Sequence, residues 1–395
     1  MSNIRKFRVV REKTEAEADI SKKIRKHKLN TALSIFLVIA AIVAITSFVV
    51  VQYKNQIFSN VIISKKISHN RVENTEYKES NGYLISYSKD GISCMDKNGK
   101  VGWNMTYEMQ SPMVRMSDKY VAVGDYNGHI VYLIDQKGTT YEVDTRLPLR
   151  DFSISSDGVI AAILDDANNS WINLFSKTGE QIVEAKATMS KTGYPVAVTI
   201  SGEVMGVSYF YVDGETMRSS VTFYNFGGVG ENTTDHIVSS YDYANAVVPM
   251  IDFLDNNTSF AVADNRLMFF EGEKKPTSSF DLLFEEEIQG VYYGQKYVGL
   301  VFYDRTGANK YRLDVYNSSG EKQVVYGFDM DFKDIIIANE QIMIYNDAQC
   351  KIVGTNGKEK YAGTFNEKVY YMSKTDSPRR FMLVTDNNIG MMEFN

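Results

Sequence analysis

The side chains in this sequence best equipped for chemistry are carboxylates, and they come in pairs: Asp165 with Asp166, Asp252 with Asp255, Asp329 with Asp331, and the run Glu285 to Glu287. Two carboxyl groups held about 5–10 Å apart across a cleft are what glycoside hydrolysis needs, one as acid and the other as base or nucleophile. Neighbours in sequence are ordinarily solvated loop features, so the pairs name a reaction class without naming a site. Two fragments, Asp96-Lys97-Asn98-Gly99 and Asp125-Tyr126-Asn127-Gly128, look like the opening of a calcium loop. Both lack the third ligand and the terminal Glu that close such a site, and they read as turns. The four histidines, His27, His69, His129 and His236, are scattered, with no pair at zinc-ligand spacing. There is no Gly-x-Ser-x-Gly elbow and no phosphate-binding loop.

Aromatic side chains offer a second chemistry. Tyr209, Phe210 and Tyr211, or Tyr241 and Tyr243, could stack on sugars or peptides. In a chain with 26 Tyr and 21 Phe, strand interiors look the same, and that is the preferred reading. The longest irregular stretch, 226–243, is the candidate functional loop, because elaborated loops on rigid scaffolds tend to carry function. No catalytic, cofactor-binding or metal-ligating residue is assigned, no cofactor is expected, and no ligand-binding residue is singled out.

The elements that would position these groups are strands. Beyond residue 80, apolar runs of four to eight residues alternate with turns rich in Gly, Asn, Asp and Ser, an all-β pattern. One unit recurs, an apolar strand ending in a polar turn with glycine: CMDKNGK (94–100), LIDQKGT (133–139), LFSKTGE (174–180), VYNSSGE (315–321) and IVGTNGK (352–358). Degenerate counterparts lie at Gly227 and Gly272, so the turn glycines are spaced by 39, 41, 48, 45, 48 and 37 residues. In phase with them, Pro112, Pro148, Pro195 and Pro249 each introduce an apolar-rich stretch, a position where proline costs no ladder hydrogen bond. Four strands per period of this length is the blade of a β-propeller.

Blades are expected at 82–109, 112–147, 148–190, 194–243, 245–284, 286–329, 332–366 and 368–395, the last one strand short. The strand-like segment 57–68 has no blade of its own and is expected to complete the eighth, removing an exposed edge. The fold class is therefore all-β, an eight-bladed β-propeller, with seven blades as the alternative, preceded by one transmembrane α-helix.

That helix is residues 31–51, TALSIFLVIAAIVAITSFVVV, with no charge, amide or proline and with 13 Leu, Ile, Val or Phe. At 1.5 Å per residue it spans about 31 Å, the thickness of a bilayer core. The first 30 residues carry ten Lys or Arg against four acids, while the chain beyond the span carries 33 against 45. Basic flanks stay in the cytoplasm, so the amino terminus is expected inside and the acidic part outside. The apolar run is longer than a cleaved signal peptide uses, and bulky residues 48–51 stand where a cleavage site would need small ones. An uncleaved anchor follows. Two cysteines, Cys94 and Cys350, are too few for a disulfide framework and read as small buried apolar residues. The acidic balance argues against nucleic acid. The expected divisions are a basic tail (1–30), an anchor (31–51), a linker with the blade-closing strand (52–80) and the propeller (81–395).

The run Asp96-Lys97-Asn98-Gly99-Lys100-Val101-Gly102-Trp103 resembles the Asp-x-x-x-Gly-Lys-x-x-Trp blade motif of quinoprotein-like propellers, one residue shorter before its glycine. The resemblance implies propeller geometry and no bound quinone, since neither a metal site nor catalytic acids can be placed. Over nearly its full length the chain resembles an uncharacterised DUF5711-like family of amino-terminally anchored proteins from Gram-positive anaerobes. The resemblance rests on the layout and on NGYLISYSKDGISCMDKNGKVGWNMTYEMQSP (81–112), SKTGYPVAVTISGEVMGVSYF (190–210) and VTFYNFGGVGENTTD (221–235). It implies fold and location and brings no site residues. The function expected is a non-catalytic protein-binding scaffold at the cell envelope, held in the bilayer by residues 31–51. The alternatives are a cell-wall glycan-binding module or a propeller-type glycan hydrolase or lyase.

Overall fold

The structure, a computed structural model, describes residues 15–166, 169–187, 193–294, 296–338, 340–375 and 377–394. It divides into two units, residues 1–56 and 57–395. The first contains one continuous helix, Glu15–Lys54, which includes the apolar run 31–51 and extends back into the basic tail. Asp19 and Lys23, one turn apart, form an exposed ion pair at 2.9 Å. The stretch Asp19–Gln52 is long and apolar enough to cross a membrane, and none of its apolar window is buried within the protein.

The second unit contains eight antiparallel four-stranded sheets. Seven are built from consecutive strands, spanning 76–106, 112–144, 149–187, 194–244, 250–283, 290–328 and 334–364. The eighth combines Val369–Lys374, Arg380–Thr385 and Asn388–Phe394 with Val61–Ser68 as its outermost strand. Val61 pairs with Phe394 and Ser68 with Asn388, so the start and end of the unit are zipped together. The strand Glu76–Ser80, which sequence reading left in the linker, is the inner strand of blade 1. Its residues EYKES carry three charges because an inner strand borders a polar channel, and composition therefore hides it.

There is no single core. The buried apolar residues fall into eight clusters, one at each interface between neighbouring blades. Each strand's alternate side chains point to opposite faces of its sheet, so every blade contributes to two clusters. The interface of blades 4 and 5 has thirteen fully buried members, while that of blades 8 and 1 has five.

The recurring glycines all lie in the turn between the third and outer strands. Gly138 adopts φ +87, and a Cβ there would lie 2.6 Å from Cβ of Trp103 in blade 1. Gly320, at φ +78, likewise takes the ring of Phe280 from blade 5, 2.2 Å from where a Cβ would stand. Backbone conformation and close approach thus demand glycine together. The motif tryptophan is explained as well: an outer-strand side chain docks on the next blade's turn. At the closure Ile67 does the same to Gly99. In blade 4 the short turn is replaced by two 3-10 turns, Gly230–Asn232 and Thr234–His236.

Cys94 and Cys350 are free, buried and in different blades. Burial pushes their thiols up to about 11 and about 12 respectively. Neither should react with a thiol reagent in the native protein, and both should react in denaturant, as a thiol titration would read. Phe394, fully buried among Phe58, Tyr361 and Phe381, seals the closing blade. Phe394→Ala should cost about 3–5 kcal/mol in urea denaturation, whereas Val325→Ala on an exposed face should stay within about 0.5 kcal/mol.

Candidate functional site

The inner strand of each blade is hydrogen-bonded on one side only, so eight strand edges border a central channel. Those edges carry unpaired carbonyls, and long basic side chains reach across to them. Lys78 of blade 1 donates to the carbonyl of Val114 in blade 2 (3.0 Å), and Arg115 of blade 2 to that of Phe152 in blade 3 (3.0 Å). Lys333, just before the inner strand of blade 7, donates to the carbonyl of Tyr370 in blade 8 (2.6 Å). The separations are 36, 37 and 37 residues, one repeat each.

Carboxylates complete the girdle. Arg115 Nη2 donates to Asp151 at 2.6 Å, joining blades 2 and 3. Thr199 of blade 4 and Tyr293 of blade 6 both donate to Asp252 of blade 5, at 2.9 and 2.5 Å. Burial pushes the Asp151 carboxyl above its ordinary value, with Arg115 opposing. Asp252 is near enough to Asp151 to add to that rise. Burial also lowers the Lys78 ammonium, with Arg115 beside it acting in the same direction.

The acidic pairs singled out in the sequence are taken up in hydrogen bonds and ion pairs with other residues, and none of them is brought together as a pair facing a cleft. Asp252 enters the channel, while Asp255 accepts the amides of Asn257 and Thr258 in a turn at the strand's far end. Asp165 accepts from Arg150, Ser170 and Tyr194, whereas Asp166 accepts from Asn169 and Trp171. Glu286 is gripped by Arg312. Asp331 takes the ammonium of Lys310, and Asp329 its backbone amide. Asp151 and Asp252, two carboxylates near enough to act on each other, come from different blades, a juxtaposition that no local spacing announces.

The calcium-like fragments are turns. Asp96 accepts the amides of Asn98 and Lys100, and those bonds from Lys100 and then Asn98 hold its carboxyl below the usual range. Asp125 accepts the amides of Gln110 and Ser111. Among the described residues no group of three His, Cys, Asp or Glu is placed to hold a metal. Of the aromatic candidates, Tyr209 and Tyr243 are buried in the interblade clusters, and Tyr241 bonds the carbonyl of Pro276. The stretch 226–243 is irregular only in its first half, since Ile237–Ala244 is the outer strand of blade 4; in that half Phe226 stacks on Tyr224 and packs at a tilt against His236.

One face of the ring carries the loops that lead into each inner strand, and two features stand out on it. In blade 4 the middle strands Val204–Asp213 and Thr216–Asn225 are ten residues each, against five to seven in the other blades. The hairpin therefore projects beyond its neighbours, with the cross-strand pair Val212 and Met217 exposed by 57% and 53%. Between blades 1 and 2, a cavity of about 740 Å³ opens beside Glu76, Gln110 and Tyr126. A second cavity, about 480 Å³, lies between blades 7 and 8.

A family model described as a family of unknown function, DUF5711, matches residues 54–394. The chain belongs to DUF5711. No curated protein matches this DUF5711 chain. Among solved structures, BamB from Moraxella catarrhalis is similar at 12% identity and TM-score 0.51, over 84% of this chain and all of that one. Apo AztD from Citrobacter koseri is similar at 10% identity and TM-score 0.53, over 75% of this chain and 86% of that one. A eukaryotic initiation factor gives 12% identity and TM-score 0.52, over 83% and 86%. At such identities the likeness is one of fold: the DUF5711 chain shares a β-propeller architecture with proteins of diverse roles.

Arg115 tests the girdle. Arg115→Ala leaves Asp151 without its cation and should cost about 1–3 kcal/mol. The Asp151 carboxyl should then rise further. A raised carboxyl contributes stability below its unfolded value, about 3.9, and loses it as pH climbs through the folded value. The melting-temperature deficit of Arg115→Ala should therefore be larger at pH 7 than at pH 4, and parallel profiles would contradict the assignment.

Proposed function

We propose that this DUF5711 protein is a membrane-anchored, non-catalytic propeller that binds a protein partner outside the cytoplasmic membrane. The anchor is the apolar part of the Glu15–Lys54 helix, whose side chains meet no protein surface and whose length suits a bilayer. The basic excess before it favours the amino terminus in the cytoplasm and the acidic propeller outside, at the cell envelope.

The observation that carries the binding role is the projecting hairpin of blade 4. This β-ribbon carries an exposed Val212–Met217 pair just below its Asp213–Thr216 tip and so presents apolar side chains to solvent. Its base is braced: Tyr211 donates to Asp242 at 2.7 Å, and Arg218 Nε donates to the Tyr211 hydroxyl at 3.3 Å. A pre-ordered hairpin loses little entropy on docking. The non-catalytic part of the proposal rests on the channel, where Asp151 and Asp252 are engaged in bonds between blades.

Two measurements test this reading. A carboxy-terminal tag should be reached by protease on intact cells and an amino-terminal tag should not; the reverse pattern would overturn the orientation. In crosslinked pull-down from native membranes, the full chain should recover a small set of envelope proteins. A chain lacking 54–395 and the double variant Val212→Asp with Met217→Asp should both lose them. Undiminished recovery by the double variant would remove the hairpin from the proposal, and recovery of nothing specific by the full chain would end it.

A further inference from the structure

We infer that the 740 Å³ cavity between blades 1 and 2 is a binding site for a neutral oligosaccharide with β-1,4 linkages. The site stands apart from the hairpin of blade 4, so the inference goes beyond the partner-binding role. Its walls combine the two chemistries a sugar requires. Asn74 and Gln110 bring amides, Thr75 and Ser111 bring hydroxyls, and Tyr126 brings an aromatic ring. Each amide both donates and accepts, which matches the adjacent hydroxyls of a pyranose. The ring suits the apolar C–H face that such a sugar presents when its substituents are equatorial. Equatorial β-1,4 links keep successive rings flat, so an extended chain can lie along the wall.

The site is built before any ligand arrives. Tyr126 is 42% exposed, yet it is fixed. Its hydroxyl accepts from Arg150 Nη1 at 2.8 Å, and the guanidinium carbon lies 5.3 Å from the ring centroid. The Tyr126 amide donates to the Ser111 carbonyl at 3.0 Å. Arg150 is in turn held by Asp165 at 2.7 Å. The turn beside it on the same wall is tied down by Asp125, which accepts the amides of Gln110 and Ser111 at 3.0 and 2.7 Å. The Met109 amide donates to the carbonyl of Lys89 at 2.9 Å. Preorganisation of this kind removes the entropy cost that weakens most sugar binding.

Charge narrows the ligand further. Glu76 and Lys89 are the charged residues on the cavity wall, one of each sign, so the lining selects neither anion nor cation. The Glu76 carboxylate is engaged by the Tyr87 hydroxyl at 2.5 Å. Hydrolysis requires two carboxyl groups on the same sugar linkage. One carboxylate lines this cavity, and the sugar is therefore bound and released intact.

The test uses the full-length protein in a non-glycosidic detergent, since maltoside headgroups would compete. Chitotetraose, cellotetraose and maltotetraose are titrated by calorimetry and by saturation-transfer NMR. At least one β-1,4 tetraose should bind saturably and remain intact, with maltotetraose, which is α-linked and curved, weaker. Tyr126→Ala should weaken binding about tenfold or more, and Tyr126→Trp should stay within about threefold of the native protein. Gln110→Ala keeps the backbone amide that holds the loop, and should weaken binding about threefold or more without a change in melting temperature. It serves as the decisive variant if Tyr126→Ala melts early. Absence of saturable binding of either β-1,4 tetraose at about 10 mM, or native affinity in Tyr126→Ala and Gln110→Ala, would overturn the inference. Neither result bears on the hairpin, because the pull-down variants leave this cavity intact.

Discussion

Every blade of this ring depends on one antiparallel pairing, Val61–Ser68 against Asn388–Phe394. Without it the eighth sheet has three strands and an open edge, and an open edge recruits other chains. The same strand puts Val61 and Ile63 into the cluster between blades 7 and 8, and Ile67 into the cluster between blades 8 and 1. The closure is therefore a packing joint as well as a hydrogen-bonded one. It also lies where the interface is thinnest in buried apolar residues, so hydrogen bonds carry more of the load there than elsewhere in the ring.

A ring of sheets has a second problem, the eight inner edges. Water in the channel can solvate some of their carbonyls, but Lys78, Arg115 and Lys333 cover others from the preceding blade. Each such bond holds two blades in register at the radius where the strands converge. Asp151 and Asp252 then neutralise or accept from neighbours across the same gap. The chemistry-bearing groups of the channel are thus occupied in holding the ring together. The blade 4 hairpin and the cavity beside Tyr126 lie outside this girdle.

The repeat was legible because its signal is local. Most of the turn glycines adopt positive φ, and Gly99, Gly138 and Gly320 must also admit Ile67, Trp103 and Phe280 from the previous blade, so substitution there is doubly forbidden and the spacing shows through. Glu76–Ser80 escaped notice for the opposite reason, since a strand facing a wet channel carries the composition of a loop. The carboxylate pairs have no joint role because adjacency in a chain is not shared direction in a propeller: Asp252 reaches the neighbouring blades from its strand, whereas Asp255 caps the turn that follows. Tyr126 lay inside a fragment that read as a turn, and its pairing with Arg150, 24 residues later, has no signature in spacing.

By itself the sequence determined the all-β repeat and the apolar helix and favoured eight blades over seven with a closing strand, because each follows from local geometry: hydrophobic period, turn conformation and length. Only the tertiary structure decided which charges meet. Lys78 finds Val114, Arg115 finds Asp151 and Arg150 finds Tyr126 because the ring sets one blade's strands beside the next. The contacts that would recognise a ligand or a partner are of this second kind. They are set by the closure of the ring, a constraint no stretch of the chain contains.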